Sequence, residues 1–418
     1  MSSEKGEVLQ REVGLAGAVL LGLGSIVGTG VFVSLGLAVG LAGSAVLWAV
    51  AVAAGVALCN GLSSAQLAAS NPVSGGTYEY GYRYLHPAAG FTAGWLFLVA
   101  KSASAATAAL GIASYAGVGA ERLPALVALV AVTGLVLVGI RRSNQTNALV
   151  VTLAVGSLTV LAVAAWPEAI TAPSGGPGDF PSVAEAAALV FVAFTGYGRV
   201  ATLGEEMHSP RRTIPRAVAA TLAVTALLYL GIAFILSRLG PDGVGQGSPL
   251  IPVAEGVAGT PLSGLVRVGA LAAMVGVLLN LILGLSRVAL AMGRRGDLPI
   301  ILARVHRQGR TPTPAILAVA GVVAAFVLVG DIETTWSFSA LTVLVYYALT
   351  NLAALRQPPT ERRVPVLVQV VGLLGCLGLA IFVDPLMWLW GLGLVAVGLA
   401  WHLAARRRAL ADGRNPLA

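Results

Sequence analysis

The sequence carries no Asp, Glu, Lys or Arg between Glu12 and Glu79, a stretch of 66 residues. A membrane helix needs about 20 apolar residues, so this one gap already holds two crossings. Ala, Leu, Val and Gly dominate it, and a segment in lipid must satisfy its own backbone hydrogen bonds, which a helix does and a lone strand does not. The rest of the chain continues the pattern: 57% of the 418 residues are hydrophobic and 11% are charged, about half the charge of a soluble domain. This excludes an ordinary cytosolic enzyme, a disordered chain and a nucleic-acid binder, in spite of a net charge of +8. Both cysteines, Cys59 and Cys376, lie in apolar runs, which excludes a disulfide scaffold. The first apolar run continues past signal-peptide length and reads as membrane sequence, not as a cleaved leader.

Dividing the apolar runs at charges and at Pro, Gly and Asn clusters predicts twelve spans. They cover roughly 14 to 38, 43 to 69, 88 to 118, 123 to 140, 147 to 166, 183 to 203, 216 to 238, 262 to 292, 314 to 330, 334 to 355, 364 to 383 and 386 to 404. None shows the two-residue alternation of a barrel strand. Twelve crossings place both termini on one side, and that side collects 20 cations, among them Arg141, Arg142, Arg294, Arg295, Arg362 and Arg363. The opposite loops carry Arg122 and Arg238, with acids such as Glu121, Asp179, Glu333 and Asp384. The positive-inside rule therefore predicts a multi-pass protein of the cell membrane with both termini cytoplasmic, and accounts for the basic excess.

Two spans are interrupted by glycine. In the first, Gly22, Gly24, Gly28 and Gly30 fall within nine residues, far more glycine than a helix favours. Gly24 and Gly28 fit a small-residue packing pair. They equally fit an unwound stretch whose half-helix ends offer free amides and carbonyls at mid-membrane. Spacing alone leaves both readings open. The sixth span repeats the feature at Phe194, Thr195, Gly196, Tyr197, Gly198 and Arg199, and matching breaks in two halves of a chain are the sequence pointer to a carrier built from inverted repeats.

With these residues the sequence resembles the amino acid–polyamine–organocation transporter superfamily. Gly24 to Phe32 is similar to its first-helix signature, and Phe194 to Tyr197 followed by Gly204, Glu205, Glu206 and Pro210 to its sixth helix and the loop beyond. Ser286, Arg287, Gly296, Asp297 and Pro299 at the exit of the eighth helix, and then Pro314, are similar to its downstream pattern. The resemblance covers about residues 8 to 360. It implies an all-α polytopic membrane protein in one transmembrane domain with a leucine-transporter-like fold. Five helices (about 14–166) and five inverted helices (about 183–355) would be joined by two extra C-terminal helices (about 364–404), with helices 1 and 6 broken.

The resemblance also implies site residues. The substrate carboxylate would sit on amides around Gly28, Thr29 and Gly30, helped by the Ser25 hydroxyl. The ammonium would face carbonyls near Ile26, Val192, Ala193 and Thr195, and Phe194 would cover the ligand beside Tyr197. Relatives that use protons place a lysine in the fifth helix, near the first and eighth, where Ala154 stands here. Lys101, deep in the third span on one face with Ser104, Ala108 and Gly111, is the candidate to supply that charge, the alternative being a fixed structural cation. Arg199, Arg287 and Asn280 are candidates for gating or for lining the cavity, each balanced by a plain packing role.

The implied activity is secondary transport of an amino acid by alternating access, with proton symport of a neutral substrate expected. Exchange without ion coupling stays open, as does sodium as the coupling ion. A substrate sensor on the same fold is a weaker alternative, and a membrane enzyme lacks a catalytic constellation. No cofactor and no metal site are expected, since His86, His208, His306 and His402 are dispersed at loops or helix ends. The expected partners are a small amino acid and the lipid bilayer, with no nucleic acid and the oligomeric state open.

Overall fold

A computed structural model of the chain describes residues 14–71, 75–118, 121–139, 144–198, 210–240, 247–305 and 311–411. Among these residues the regular structure is helical, with one isolated bridge between Gly43 and Pro177. In chain order the helices are α1 (Leu15–Ile26), α2 (Leu35–Ala42), α3 (Val46–Ser70), α4 (Thr77–Tyr84), α5 (Pro87–Ala116), α6 (Arg122–Leu137) and α7 (Asn144–Thr171). They continue with α8 (Phe180–Phe194), α9 (Pro210–Leu239), α10 (Leu250–Arg295), α11 (Thr313–Val329), α12 (Ile332–Arg356), α13 (Val366–Ile381) and α14 (Pro385–Ala411).

Eight of these segments are long and apolar enough to cross a bilayer, and α1 with the helix beyond its break makes a ninth, bent by 44°. The helices α6, α11 and α13 are apolar but shorter, at 16, 17 and 16 residues. The chain is a multi-pass membrane protein. Three features differ from the sequence expectation. The first span runs on to Ala42, because α2 continues the apolar run beyond a π-turn at Gly30–Ser34. The short α4 was not foreseen, since its Tyr-rich sequence has neither the length nor the hydropathy of a span. The eighth span begins within a longer element, where Gly259 at φ 68 separates Leu250–Val257 from the span proper.

Local chemistry fixes several helix starts. Pro87 stands at the first helical position of α5 and His86 caps it by accepting from the Ala88 amide at 3.2 Å. Asp179 caps α8 by accepting from the Ser182 amide at 3.0 Å, and hydrogen bonds to Ser182 hold its carboxyl below the usual carboxylate range. Asp331 and Thr334 form a reciprocal capping box at α12. Helices α5 and α12 are the most enclosed, whereas α7 and α14 expose wide apolar faces such as Leu149, Val163, Leu389 and Val397. Hydroxyl pairs join the two central helices: Ser104 to Ser339 at 2.7 Å and Thr107 to Thr335 at 2.8 Å. The small face of α5 is thus turned to protein, with Gly111 against Met274 and Val33.

Candidate functional site

The first span comes apart at Val27, whose ψ of 108 takes it out of the helix. Ile26 ends α1 and leaves its carbonyls without a following turn. Past the break, the first amides with main-chain acceptors are those of Val31 and Phe32, both on Gly28 O at 3.2 Å. Gly28, Thr29 and Gly30 therefore head the second half-helix as free donors at its positive end. Thr29 is 2% exposed and its hydroxyl finds no partner, an unpaired polar group of the kind that is costly in a dry interior. The Ser25 hydroxyl donates to Leu21 O at 2.9 Å, back along its own helix.

The sixth span comes apart in register with the first. Helix α8 ends at Phe194 and tightens into a 3-10 turn over Thr195–Tyr197. Absent side chains let the two breaks meet. A Cβ on Gly30 would stand 2.5 Å from Ala193 Cβ, and one on Gly196 would strike the Ser25 carbonyl and stand 2.7 Å from Ile26 Cγ1. A Cβ on Gly28 would stand 2.5 Å from Val277 Cγ2 of α10, and one on Gly24 would strike the Asn147 amide of α7. Each glycine thus admits a different neighbour, which explains their density better than a single packing pair.

The carbonyl ends of the two half-helices face side chains that donate. The Tyr229 hydroxyl of α9 lies 3.1 Å from Ile26 O and 3.3 Å from Ala193 O, bridging the two breaks. With one hydrogen it serves one carbonyl at a time. The Tyr347 hydroxyl of α12 donates to Thr195 O at 3.3 Å. Lys101 Nζ donates to Thr195 Oγ1 at 2.6 Å, and Thr195 in turn donates to Val192 O at 2.7 Å. The charge of Lys101 therefore bears on the sixth span, not on the first and eighth as expected. The half-helix α8 ends there, and a cation offsets the negative end of its dipole. Phe194 is fully buried, its ring 5.0 Å from that of Tyr229, and the Tyr197 ring is 5.5 Å from that of Tyr347.

The other predicted residues are elsewhere. Asn280 is half-buried on α10 and Arg287 is exposed, so seven residues of separation did not put them in one environment. Arg199, with Glu205, Glu206, His208 and His306, lies outside the described residues. Ala154 is buried against α10, where Ser157 of the same helix meets Gly269. His402 is not at a helix end but inside α14, 3.2 Å from the Asp297 carboxylate. Sequence reasoning missed Tyr229 and Tyr347, because a tyrosine in an apolar span has no signal apart from core packing. It also passed over Arg267, whose guanidinium lies beside Gly117 at the end of α5.

Related sequences are those of amino acid permeases and other transporters. Residues 17–383 match the profile of the amino acid permease family. A transporter of Mycobacterium tuberculosis strain H37Rv is 40% identical over 417 residues, covering 97% of this chain and 94% of its own. The branched-chain amino acid permease of Bacillus subtilis is 29% identical over 73% of this chain and 71% of its own. The vacuolar cationic amino acid transporter 2 of Arabidopsis thaliana is 25% identical over 72% and 53%. With two broken helices meeting through glycine and a match over most of its length, the chain belongs to the amino acid permease family.

Proposed function

We propose that the protein is a secondary carrier that moves a neutral amino acid through the cell membrane by alternating access, coupled to a proton. In this reading α6, α11 and α13 also cross, giving twelve spans in a five-plus-five repeat with two extra helices and both termini cytoplasmic. A 16-residue helix is about 24 Å long, enough with flanking turns for a slightly thinned bilayer.

The observation that carries the reading is the meeting of the two breaks, with free amides at Gly28 to Gly30 and clustered carbonyls at Ile26 and Ala193. A zwitterion bridges such ends without a buried ion pair, its carboxylate on the amides and its ammonium on the carbonyls. Lys101 already places a cation at the carbonyl end, which disfavours a second charge on the substrate side chain. The branched-chain permease among its relatives agrees with an apolar side chain. Proton coupling would act at Lys101: with the ammonium deprotonated, its charge at the end of α8 is lost and the sixth span is freed to move. Its single strong tie to Thr195 equally fits a fixed cation in an exchanger without ion coupling.

Uptake into proteoliposomes decides between them. Twenty amino acids compete against one labelled substrate, with and without an inward-acid gradient and with and without sodium. Accumulation of neutral amino acids driven by the pH gradient alone is expected. Counterflow without accumulation would establish the exchanger, a sodium requirement would replace the proton, and no amino acid transport would end the proposal.

A further inference from the structure

Away from the breaks, the end of α10 holds a second buried polar cluster. Gly296, at φ 84, adopts the left-handed conformation that ends the helix, and the amides of Asp297 and Leu298 both turn back to Met292 O at 2.9 and 3.2 Å. This turn directs Asp297 inward, where it is 6% exposed. Tyr78 donates to Asp297 Oδ2 at 2.6 Å, and Tyr82 lies 2.7 Å from Oδ2 and 2.9 Å from Oδ1. His402 Nδ1 is 3.2 Å from Oδ1, and the Trp401 indole donates to the Asp297 carbonyl at 2.9 Å. His402 is 2% exposed and stacks on Phe91 of α5 at 4.5 Å. Next to it, the Trp95 indole of α5 donates to Leu394 O, and Trp95 packs on Gly398. One carboxylate thus gathers α4, the exit of α10 and the terminal α14.

The groups around the imidazole divide by what they can titrate. Burial first, and then the charge of Asp297, push the Tyr78 phenol far up, so it remains a donor. Arg295 lies over the Tyr82 ring at 4.1 Å and pairs with Glu79 at 3.2 Å, closing the cluster toward solvent. From α5, Phe91 and Trp95 bring no charge. The imidazole is the group in this set whose ordinary titration falls between about pH 5 and 8. At 3.2 Å a neutral imidazole is a weak partner for the carboxylate, whereas an imidazolium is a counter-ion to it.

We propose that Asp297 and His402 form a proton-binding site, whose occupancy sets how firmly α14 is fastened to the exit of the eighth span. The site is separate from Lys101, and it faces the cytoplasm in the orientation proposed above. Acid tightens the fastening. Because α5 carries Lys101 and α10 carries Val277 against Gly28, a tighter fastening restrains the helices that line the breaks.

Two readouts test this on the full-length protein. The first is the melting temperature in detergent at pH 7.5 and 5.5, which needs neither transport nor a known substrate. The wild type should gain stability on acidification relative to His402→Gln and Asp297→Asn. Trp401→Phe, which removes only the indole bond, should keep the wild-type pH difference. The second is exchange at saturating substrate as the pH on the α4 side falls from 7.5 to 5.5. The rate should drop two- to fivefold in the wild type and stay level in His402→Gln. An unchanged pH difference in melting for His402→Gln overturns the proposal, whatever the outcome for transport. A lack of amino acid transport together with the predicted melting behaviour would instead overturn only the functional reading.

Discussion

The breaks in the first and sixth spans both present carbonyls to Tyr229, at Ile26 and Ala193, but differ in what else they offer. The first offers amides at Gly28, Thr29 and Gly30, with the Thr29 hydroxyl left unpaired beside them. The second gathers carbonyls and is already served by the protein's own donors, Lys101, Tyr229 and Tyr347. A zwitterion arriving between them meets an open anion end and an occupied cation end. In the proposed reading the carboxylate would be the handle that anchors the ligand, while the ammonium would have to displace a tyrosine hydroxyl. Substitutions at each break should separate these roles.

The largest effect is expected at the amide end. Gly30→Val drives a branched side chain into Ala193 and the Tyr229 hydroxyl, and Gly28→Val into Val277. Both should abolish substrate binding, with gel filtration and melting showing whether the fold survives. Gly30→Ala, the smaller insult, should weaken binding in a folded protein, and unchanged affinity in all three would remove the carboxylate from this break. Lys101→Ala comes next. It should abolish accumulation driven by a pH gradient and spare exchange, whereas full proton-driven uptake with the same pH profile would leave Lys101 a structural cation.

Smaller effects sharpen the carbonyl end. Tyr229→Phe removes the hydroxyl that competes for Ile26 O and Ala193 O, a bond worth about 1 kcal/mol, so substrate should bind about fivefold more tightly. Weaker binding in that variant would mean that the hydroxyl touches the ligand instead of competing with it. Ser104→Ala, in the hydroxyl pair that joins α5 to α12, should cost about 0.6 kcal/mol, visible as a small fall in melting temperature with uptake unchanged.

The two breaks also differ in how far they were legible. Glycine spacing located the first because a helix that tolerates Gly22, Gly24, Gly28 and Gly30 needs a reason, and the structure supplies one neighbour for each of Gly24, Gly28 and Gly30. The donors at the sixth were not legible beyond Lys101. Tyr229 and Tyr347 lie 32 and 150 residues after Tyr197 in spans that read as ordinary core. Even for Lys101 the depth was readable and the direction was not, because the stripe of Ser104 and Gly111 says that the face meets protein without saying which helix. The pairing of Asp297 with His402 was hidden for the same reason: a charge after a tight turn and a histidine in the last span share no local pattern. Hydropathy matched the eight or nine helices that are long and apolar enough to cross among the described residues, and it gave no sign of the short polar α4 or of the kink at Gly259, which depend on tertiary packing.

The central claim is that the amides of the first break hold the substrate carboxylate. Its most direct measurement is the thermal shift of the purified protein with the amino acid that the uptake survey selects, set against the same molecule lacking its carboxylate and against its uncharged amide. The account predicts stabilisation by the amino acid, a much weaker response to the amide and none to the decarboxylated amine, with Gly30→Val silent to all three. Equal stabilisation by the amine and the amino acid would contradict it.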